Sequence, residues 1–269
     1  NSLPEYIASL TQATQTPWPP YERMGVKVAG DYRQLNANVL QIENEYYTSM
    51  RPKQPPRGNE KPVEALRRRG VQYVELRSVD INPLEPLSVT ASQLRFLEAF
   101  LLFCLLQESP PLDAEERRMI DDNQMAAALQ GRDPALVLQR RREPAVRLRD
   151  WAVEILGCLQ PISELLDSGE SGRPYAAALT EQCEVLADPE RTPSARMLAV
   201  MRASGQNFFR CAQHLSEQHR AYFQARPLPE ERTRFFTEAA QRSLREQAEI
   251  EAADEVSFDE FLRDYFAQS

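Results

Sequence analysis

The sequence has few of the residues and motifs on which common catalytic sites depend. It contains only two histidines, His214 and His219, and their spacing places them on different faces of a helix, which disfavours a zinc pair. With so few histidines, a Ser–His or Cys–His catalytic arrangement also has little support. Neither the GxxxxGK[ST] loop nor the GxGxxG motif of nucleotide-binding folds is present. Any catalytic chemistry must therefore be carried by other residue types.

Long apolar runs and an excess of positive charge are missing as well. The longest apolar run, residues 99–106, is far shorter than the roughly 20 residues that span a bilayer, so it indicates a buried helix. Its position in the middle of the chain excludes a signal peptide. The net charge of −8 at pH 7 argues against a general nucleic-acid-binding protein, which needs a basic face. We therefore expect no nucleic-acid or membrane partner.

The length and the cysteine content are those of an ordinary globular protein. A chain of 269 residues can bury a sizeable core as one large domain or two small ones. Its four cysteines have no CxxC spacing and lie in helical patterns. This arrangement is typical of reduced structural thiols, and it predicts a cytoplasmic protein.

The hydrophobic patterning of the chain changes near Leu87. Before this residue, short alternating segments between turn signals predict β-structure with a few short helices. The predicted elements are a helix at 3–11, a hairpin at 26–35, strands at 38–50 and 71–81, a loop at 51–62 and a helix at 63–69. We therefore predict a first domain at residues 1–87 that contains a β-sheet.

After Leu87 the patterning is almost entirely helical. Thr90 and Gln93 fit a capping box ahead of the apolar run. Further helices are predicted at 148–162, 195–224, 229–253 and 258–266. Their aromatic and methionine side chains are expected to form a core. We therefore predict a helical region at 88–269 that packs on the sheet, and an α+β fold for the chain.

Glu75 and Arg77 lie on one face of the predicted strand, because side chains alternate along a strand. A carboxylate can bind Mg²⁺, and a guanidinium group can bind a phosphate through two hydrogen bonds. Together they would suit a metal–nucleotide site. The same two residues also fit the solvated face of an antiparallel sheet, where they would simply pair with each other. The pattern alone favours this second, simpler interpretation.

Two other groups of polar residues are less informative. The predicted strand at 38–50 places Gln41, Glu43, Glu45 and Tyr47 on one acidic face, which could face a cation or could be solvated. Arg132 lies in a turn between predicted helices, from which it could reach into a cleft. The spacing does not decide between these possibilities.

Residues 70–83 carry a more specific signal. The run Glu75-Leu76-Arg77-Ser78-Val79-Asp80-Ile81-Asn82-Pro83 resembles a Glu-x-Arg-Ser-x-Asp-x-Asn-Pro pattern of the proteobacterial glutamate–cysteine ligases. Residues 35–53, LNANVLQIENEYYTSMRPK, match a second block of this family. Weaker matches follow at 129–138 and 192–198. The chain thus resembles the C-terminal half of such an enzyme.

The resemblance implies a fold, a reaction and roles for three residues. The fold would be part of a curved antiparallel sheet similar to that of glutamine synthetase, followed by a helical region. ATP would phosphorylate the γ-carboxyl of glutamate, and the amine of cysteine would attack the acyl phosphate, with Mg²⁺ as cofactor. Glu75 matches a magnesium ligand, Arg77 the arginine that contacts the transferring phosphate, and Tyr47 a tyrosine that lines the cysteine pocket. The resemblance assigns no role to Glu43, Glu45 or Arg51.

The same resemblance implies that the sequence is half of an active site. The family's other carboxylate ligands, its metal-binding histidine and a substrate-binding arginine lie in the N-terminal half of the enzyme. We therefore interpret the chain, which begins at Asn1, as an incomplete record of a longer polypeptide; a split enzyme is the alternative. We expect the isolated chain to be inactive. The substrates would be glutamate, cysteine and ATP, in the first step of glutathione biosynthesis, and the full-length protein would be a monomer.

Two rival interpretations remain open at this point. The helical half would also suit a non-catalytic interaction module with a small β cap. A different ATP-dependent carboxylate–amine ligase, or an enzyme similar to guanidino kinases, would be compatible with the acidic face at 41–47.

Overall fold

The computed structural model describes residues 2–268 and combines α-helices with small antiparallel sheets, which confirms the α+β prediction at this level. The helices are α1 (Leu3–Gln15), α2 (Pro19–Met24), α3 (Pro62–Arg69), α4 (Ala91–Leu106), α5 (Ala114–Gln130), α6 (Leu148–Asp167), α7 (Pro174–Ala187), α8 (Pro193–Ser204), α9 (Phe208–Gln224), α10 (Glu230–Ala252) and α11 (Phe258–Phe266). The strands are β1 (Lys27–Val28), β2 (Asp31–Tyr32), β3 (Met50–Lys53), β4 (Tyr73–Leu76), β5 (Val137–Arg140) and β6 (Glu143–Arg147). They pair as β1–β2, β3–β4 and β5–β6.

The packing of these elements separates two compact units. One contains the residues up to Asp80 and those from Leu228 onward, and the other is Ile81–Pro227. These ranges differ from the predicted domains at 1–87 and 88–269, which stay a prediction for the intact protein. Among the helices from α1 to α11, none is long and apolar enough to cross a membrane.

The first unit has a small core between α1 and α3. A capping box of Ser2 and Glu5 begins α1, as the polar residues ahead of its apolar stripe favour. Ile7 and Leu10 of α1 are buried against Val63 and Leu66 of α3. The structure thus confirms the two helices predicted in this region. Their contact also brings together the two ends of the segment that connects them.

The long strand predicted at 38–50 is wrong. Side chains in this segment hydrogen-bond to its own backbone: the Leu35 amide donates to Gln41 Oε1 over 2.6 Å, and the Gln41 amide donates to Glu45 Oε2 over 2.6 Å. Such local bonds compete with pairing between strands. The chain instead forms a 3₁₀ turn at Glu43–Glu45, and the first residues of this region to pair as a strand are those of β3. Consequently, part of the predicted loop at 51–62 is a strand.

Helix α11 packs within the first unit on the hairpin of β1 and β2. A capping box of Ser257 and Glu260 begins this helix, as predicted. Lys27 Nζ lies 3.0 Å from the Asp259 carboxylate, and the Tyr32 hydroxyl also donates to it. The hydrogen bond from Tyr32, and then that from Lys27, lower the pKa of Asp259. These exposed polar contacts fix the register of α11 on the hairpin.

The second unit is built on α4, α6 and α7, with Leu159 and Ser163 of α6 buried. The helix predicted at 195–224 is two helices, because Gly205 adopts a left-handed conformation (φ 65°) that ends α8. Asn207 then caps α9 by accepting a hydrogen bond from the Arg210 amide over 3.0 Å. The hairpin of β5 and β6 was not predicted, since its sequence is largely charged.

The expectation that the aromatic residues of the later helices form a core is wrong for several of them. Within α9 and α10, the exposed aromatic side chains are Phe208, Phe209, Tyr222, Phe223, Phe235 and Phe236. Helical spacing of apolar residues indicates an apolar face, but it does not identify what covers that face.

Candidate functional site

The two strands β3 and β4 bring the sequence-predicted residues to one surface. Arg51 of β3 lies opposite Glu75 of β4, and Lys53 lies opposite Tyr73. The Arg77 amide donates to the Ser49 carbonyl over 2.8 Å, so the antiparallel pairing continues beyond the end of β4. Directly opposed residues share a face of a sheet, and so do alternate residues of a strand. Ser49, Arg51, Lys53, Tyr73, Glu75 and Arg77 therefore form one surface, here called the charged sheet face.

Tyr47 reaches this face from the segment that precedes β3. The guanidinium carbon of Arg77 lies 4.8 Å from the centroid of the Tyr47 ring, a cation–π geometry. The Tyr47 hydroxyl also donates to the Arg77 carbonyl over 3.3 Å. The Tyr47 side chain is 70% exposed, so its ring remains open to a small molecule. The structure thus brings Tyr47, Glu75 and Arg77 together, as the sequence blocks suggested.

The Glu75 carboxylate has a single charged neighbour within residues 2–268. Lys53 Nζ lies 3.3 Å from Glu75 Oε2. This oxygen is inaccessible to solvent and has no hydrogen bond of acceptable geometry. The ammonium group is close enough for an ion pair without being aligned as a donor. The oxygen is thus held by charge alone, and none of its lone pairs accepts a hydrogen bond.

Arg51 is a buried cation on the same face. Its side chain is 5% exposed, and its Nη2 donates to the backbone carbonyl of Glu43 over 2.9 Å. Its Nε is buried without a hydrogen-bond partner, and it forms no ion pair in the described part of the chain. The hydrogen bond from Arg51 to Glu43 therefore connects the 3₁₀ turn, which precedes Tyr47, to strand β3.

Glu43 and Glu45 do not belong to the charged sheet face. The expectation that Gln41, Glu43, Glu45 and Tyr47 share a strand face is wrong, because the turn at Glu43–Glu45 reorients them. Glu43 is buried, and the Tyr265 hydroxyl of α11 lies 3.5 Å from its Oε2. Burial, and secondarily the Glu43 carboxylate, raise the pKa of Tyr265 to about 12. Glu43 and Glu45 therefore have structural contacts that account for them.

Arg132 lies in the second unit. It lines a cavity of about 560 Å³ between α6, α7 and the turn that follows α5, and it lies 3.8 Å from Glu190. The cavity wall is mainly apolar, with Ala152, Ile155 and Val185 among its residues. Within the second unit, Arg132 is therefore accounted for by one exposed ion pair and the rim of a mainly apolar cavity.

The charged sheet face fits a magnesium site only in part. Oxygen donors such as the Glu75 carboxylate are what Mg²⁺ requires, and Glu75 Oε2 is a buried oxygen without a hydrogen bond. However, residues 2–268 contain no group of three or more His, Cys, Asp or Glu side chains that could hold a metal ion. This chain thus supplies one ligand and not a complete site.

Sequence reasoning missed Arg51 and Lys53 as members of this surface. Both residues were assigned to the predicted loop at 51–62, because that stretch contains four prolines and a glycine. The alternation of Arg51 and Lys53 with apolar residues was the signal that could have identified a strand. Pro52 is compatible with the strand because β3 is paired on one side only.

Comparison with known proteins shows what this chain is similar to in sequence. A family model for glutamate–cysteine ligase matches residues 1–127. Glutamate–cysteine ligases of Pseudomonas paraeruginosa and Pseudomonas aeruginosa strain UCBPP-PA14 are each 47% identical over 267 residues, 99% of this chain and 50% of the relative.

Two solved structures are similar to this chain in fold. The glutamate–cysteine ligase of Francisella tularensis in complex with AMP is 30% identical, with a TM-score of 0.89 over 98% of this chain and 52% of that chain. A bifunctional glutathione synthetase of Pasteurella multocida is 19% identical, with a TM-score of 0.52 over 82% of this chain and 31% of that chain, and shows similarity of fold alone.

The curated relatives and the first of these solved structures carry the same name. This chain is related in sequence and structure to the glutamate–cysteine ligases, which confirms the resemblance stated from residues 35–53 and 70–83. The chain spans about half the length of the curated relatives that it matches.

Proposed function

We propose that the chain provides one half of a glutamate–cysteine ligase. The complete enzyme would join the γ-carboxyl of L-glutamate to the amine of L-cysteine, with ATP converted to ADP and phosphate. The product, γ-glutamylcysteine, is that of the first step of glutathione biosynthesis. The observation that carries the proposal is the convergence of Tyr47, Glu75 and Arg77 on the charged sheet face. It lies within the region that matches the family model.

Each of these residues suits one part of the reaction. In the first step the γ-phosphoryl group of ATP passes to the glutamate carboxylate, and negative charge develops on the transferring oxygens. Arg77 offers several N–H donors with fixed geometry to those oxygens, and the Tyr47 ring limits the positions that its guanidinium group takes. Glu75 would hold a magnesium ion, which neutralises phosphate charge when bound.

The second step forms the amide bond. The cysteine nitrogen attacks the acyl carbon, phosphate leaves, and the nitrogen loses a proton. Tyr47 is exposed and lies against Arg77, so it can line the space from which cysteine approaches. We therefore assign Tyr47 to the cysteine pocket.

The proposal also requires a larger sheet than residues 2–268 contain. β3 and β4 form a two-stranded sheet whose outer edges carry no further strand in the described part of the chain. An isolated two-stranded sheet is only marginally stable, and unpaired edges accept additional strands. We propose that further strands extend β3–β4 into a curved sheet similar to that of glutamine synthetase. A cytoplasmic location and a monomeric complete enzyme are part of the same proposal.

The experiment compares the isolated chain with a completed ligase. The completed ligase is a fusion of this chain with the half of the Pseudomonas aeruginosa relative that it does not match. Both are incubated with glutamate, cysteine, ATP and MgCl₂, and γ-glutamylcysteine is measured by mass spectrometry. We expect product from the completed ligase and none from the isolated chain, because one carboxylate cannot hold the magnesium ion that ATP brings.

Matched variants decide whether the charged sheet face is responsible. Arg77→Met in the completed ligase should lower turnover by about 100-fold or more, since it removes a donor to developing phosphate charge. Arg245→Met, on the exposed surface of α10, should leave turnover unchanged. A folded completed ligase that forms no product, or one in which Arg77→Met is fully active, would contradict the proposal. Faster ADP release with another amine than with cysteine would indicate a different ligase.

A further inference from the structure

Lys53 occupies a position that the proposed function does not explain. Its Nζ lies 3.3 Å from Glu75 Oε2, on the strand adjacent to Glu75 and on the same face. A divalent cation bound by this carboxylate would lie beside the Lys53 ammonium group, and the like charges would repel each other. The lysine side chain is one-third exposed, and its flexible four-carbon stem allows the ammonium group to move.

The charges of the face show where a displaced ammonium group would go. Arg51, Lys53 and Arg77 are cations, and Glu75 is the only anion among the six residues of the charged sheet face. This local excess of positive charge contrasts with the net charge of −8 of the chain. A phosphate chain that carries its own divalent cation complements such a surface, because it brings negative charge for the lysine and arginine and a metal ion for the carboxylate.

We propose that Lys53 is a nucleotide phosphate-binding residue that changes its partner. Without ligand, its ammonium group neutralises the Glu75 carboxylate. When a metal–nucleotide binds, Glu75 would hold its divalent cation, and the Lys53 ammonium group would turn to a phosphate oxygen. The proposal rests on the proposed function, and it adds a residue for which the sequence resemblance gave no role.

The contacts of Arg51 explain why Lys53, and not Arg51, changes its ionic partner. Arg51 lies directly opposite Glu75 but is buried and bound to the Glu43 carbonyl. Its guanidinium group is therefore fixed. Lys53 is the next residue along β3 on this face and is more exposed, and within residues 2–268 its one ion pair is with Glu75. The face thus combines a fixed cation with a movable one.

The proposal makes two opposite predictions for Lys53→Met in the completed ligase. Binding of Mn²⁺ without nucleotide, measured by electron paramagnetic resonance, should become about three- to fivefold tighter, since an ion pair that competes for Glu75 is lost. Binding of MgADP, measured by calorimetry, should become about tenfold weaker or more, since a charged hydrogen bond to phosphate is lost. Lys53→Arg should restore most of the MgADP affinity.

A second lysine in the same unit provides the control. Lys27 forms a comparable ion pair with Asp259, so Lys27→Met should change neither affinity. If Lys53→Met leaves MgADP binding within twofold, or weakens Mn²⁺ binding, the partner exchange is wrong even when the completed ligase makes γ-glutamylcysteine. If the completed ligase binds MgADP with the expected Lys53 dependence but makes no γ-glutamylcysteine, the exchange stands and the proposed reaction is wrong.

Discussion

Arg51 and Glu75 lie directly opposite each other across β3 and β4, yet they form no ion pair. The Arg51 guanidinium group instead donates to the backbone carbonyl of Glu43, and the Glu75 carboxylate is neutralised by Lys53. The Arg51 guanidinium group therefore stabilises the fold, while the Glu75 side chain stays partly exposed, so that a ligand can reach it. This division explains how a strongly charged sheet face is kept open for binding.

The contact of Arg51 should be measurable as stability. Arg51→Met removes the donor to the Glu43 carbonyl, which is then left without this bond, and such a loss costs about 1–3 kcal/mol. We expect Arg51→Met to unfold at a lower urea concentration than the parent 269-residue chain. Circular dichroism measures the unfolding midpoint. Arg245→Met, in the exposed helix α10, should match the parent chain. Equal midpoints for both variants would show that the Glu43 contact does not stabilise the fold.

Local signals predicted several elements of the fold correctly. The capping residues Ser257 and Glu260 predicted α11, and the apolar spacing around Val63 and Leu66 predicted α3. These elements depend on bonds and contacts within a few residues, which a single sequence displays. The residues that begin a helix are informative because the unpaired amides of its first turn need specific side chains.

Strand lengths were harder to predict from the same sequence. Residues 71–81 alternate as a strand would, but β4 ends at Leu76, which pairs with Met50, the first residue of β3. A strand persists only where a neighbour supplies hydrogen bonds, and that neighbour is distant in sequence. For the same reason the alternation placed Glu75 and Arg77 together but did not reveal Arg51 and Lys53 beside them.

Glu75 should control the metal dependence of the completed ligase. Glu75→Gln keeps the size of the side chain but removes the charge that binds a divalent cation. We expect a higher Mg²⁺ concentration for half-maximal activity and a large loss of turnover, measured over a series of MgCl₂ concentrations at fixed ATP. Glu238→Gln in α10 is the matched control. Unchanged kinetics for Glu75→Gln would remove this residue from the metal site.

Substitution of Tyr47 should change the KM for cysteine more than the KM for ATP. Tyr47→Leu removes the ring that lies 4.8 Å from the Arg77 guanidinium carbon, whereas Tyr47→Phe keeps a ring for this cation–π contact. We expect Tyr47→Leu to raise the KM for cysteine by about tenfold and Tyr47→Phe to raise it much less, because the contact is worth roughly 0.5–1 kcal/mol and the pocket wall is lost in addition. The measurement is initial velocity against cysteine at saturating ATP and glutamate. Equal effects of the two variants would show that the ring is not what matters.

Ionisation of Tyr265 should lower the stability of the folded chain at alkaline pH. Burial and the Glu43 carboxylate raise its pKa to about 12 in the folded chain, whereas an exposed tyrosine in the unfolded chain ionises near pH 10. The folded state therefore binds the proton more tightly. This contribution to stability is fully present below about pH 10 and is lost as the pH rises towards 12.

The comparison with Tyr265→Phe isolates this effect from the lysines that titrate in the same range. The phenylalanine variant keeps the ring of α11 but has no proton to lose. Urea midpoints measured from pH 8 to pH 12 should fall more steeply for the parent chain than for Tyr265→Phe, and the two curves should differ in slope only above about pH 10. Parallel curves over the whole range would mean that the Tyr265 hydroxyl ionises as it does in the unfolded chain, and that its contact with Glu43 does not hold the proton.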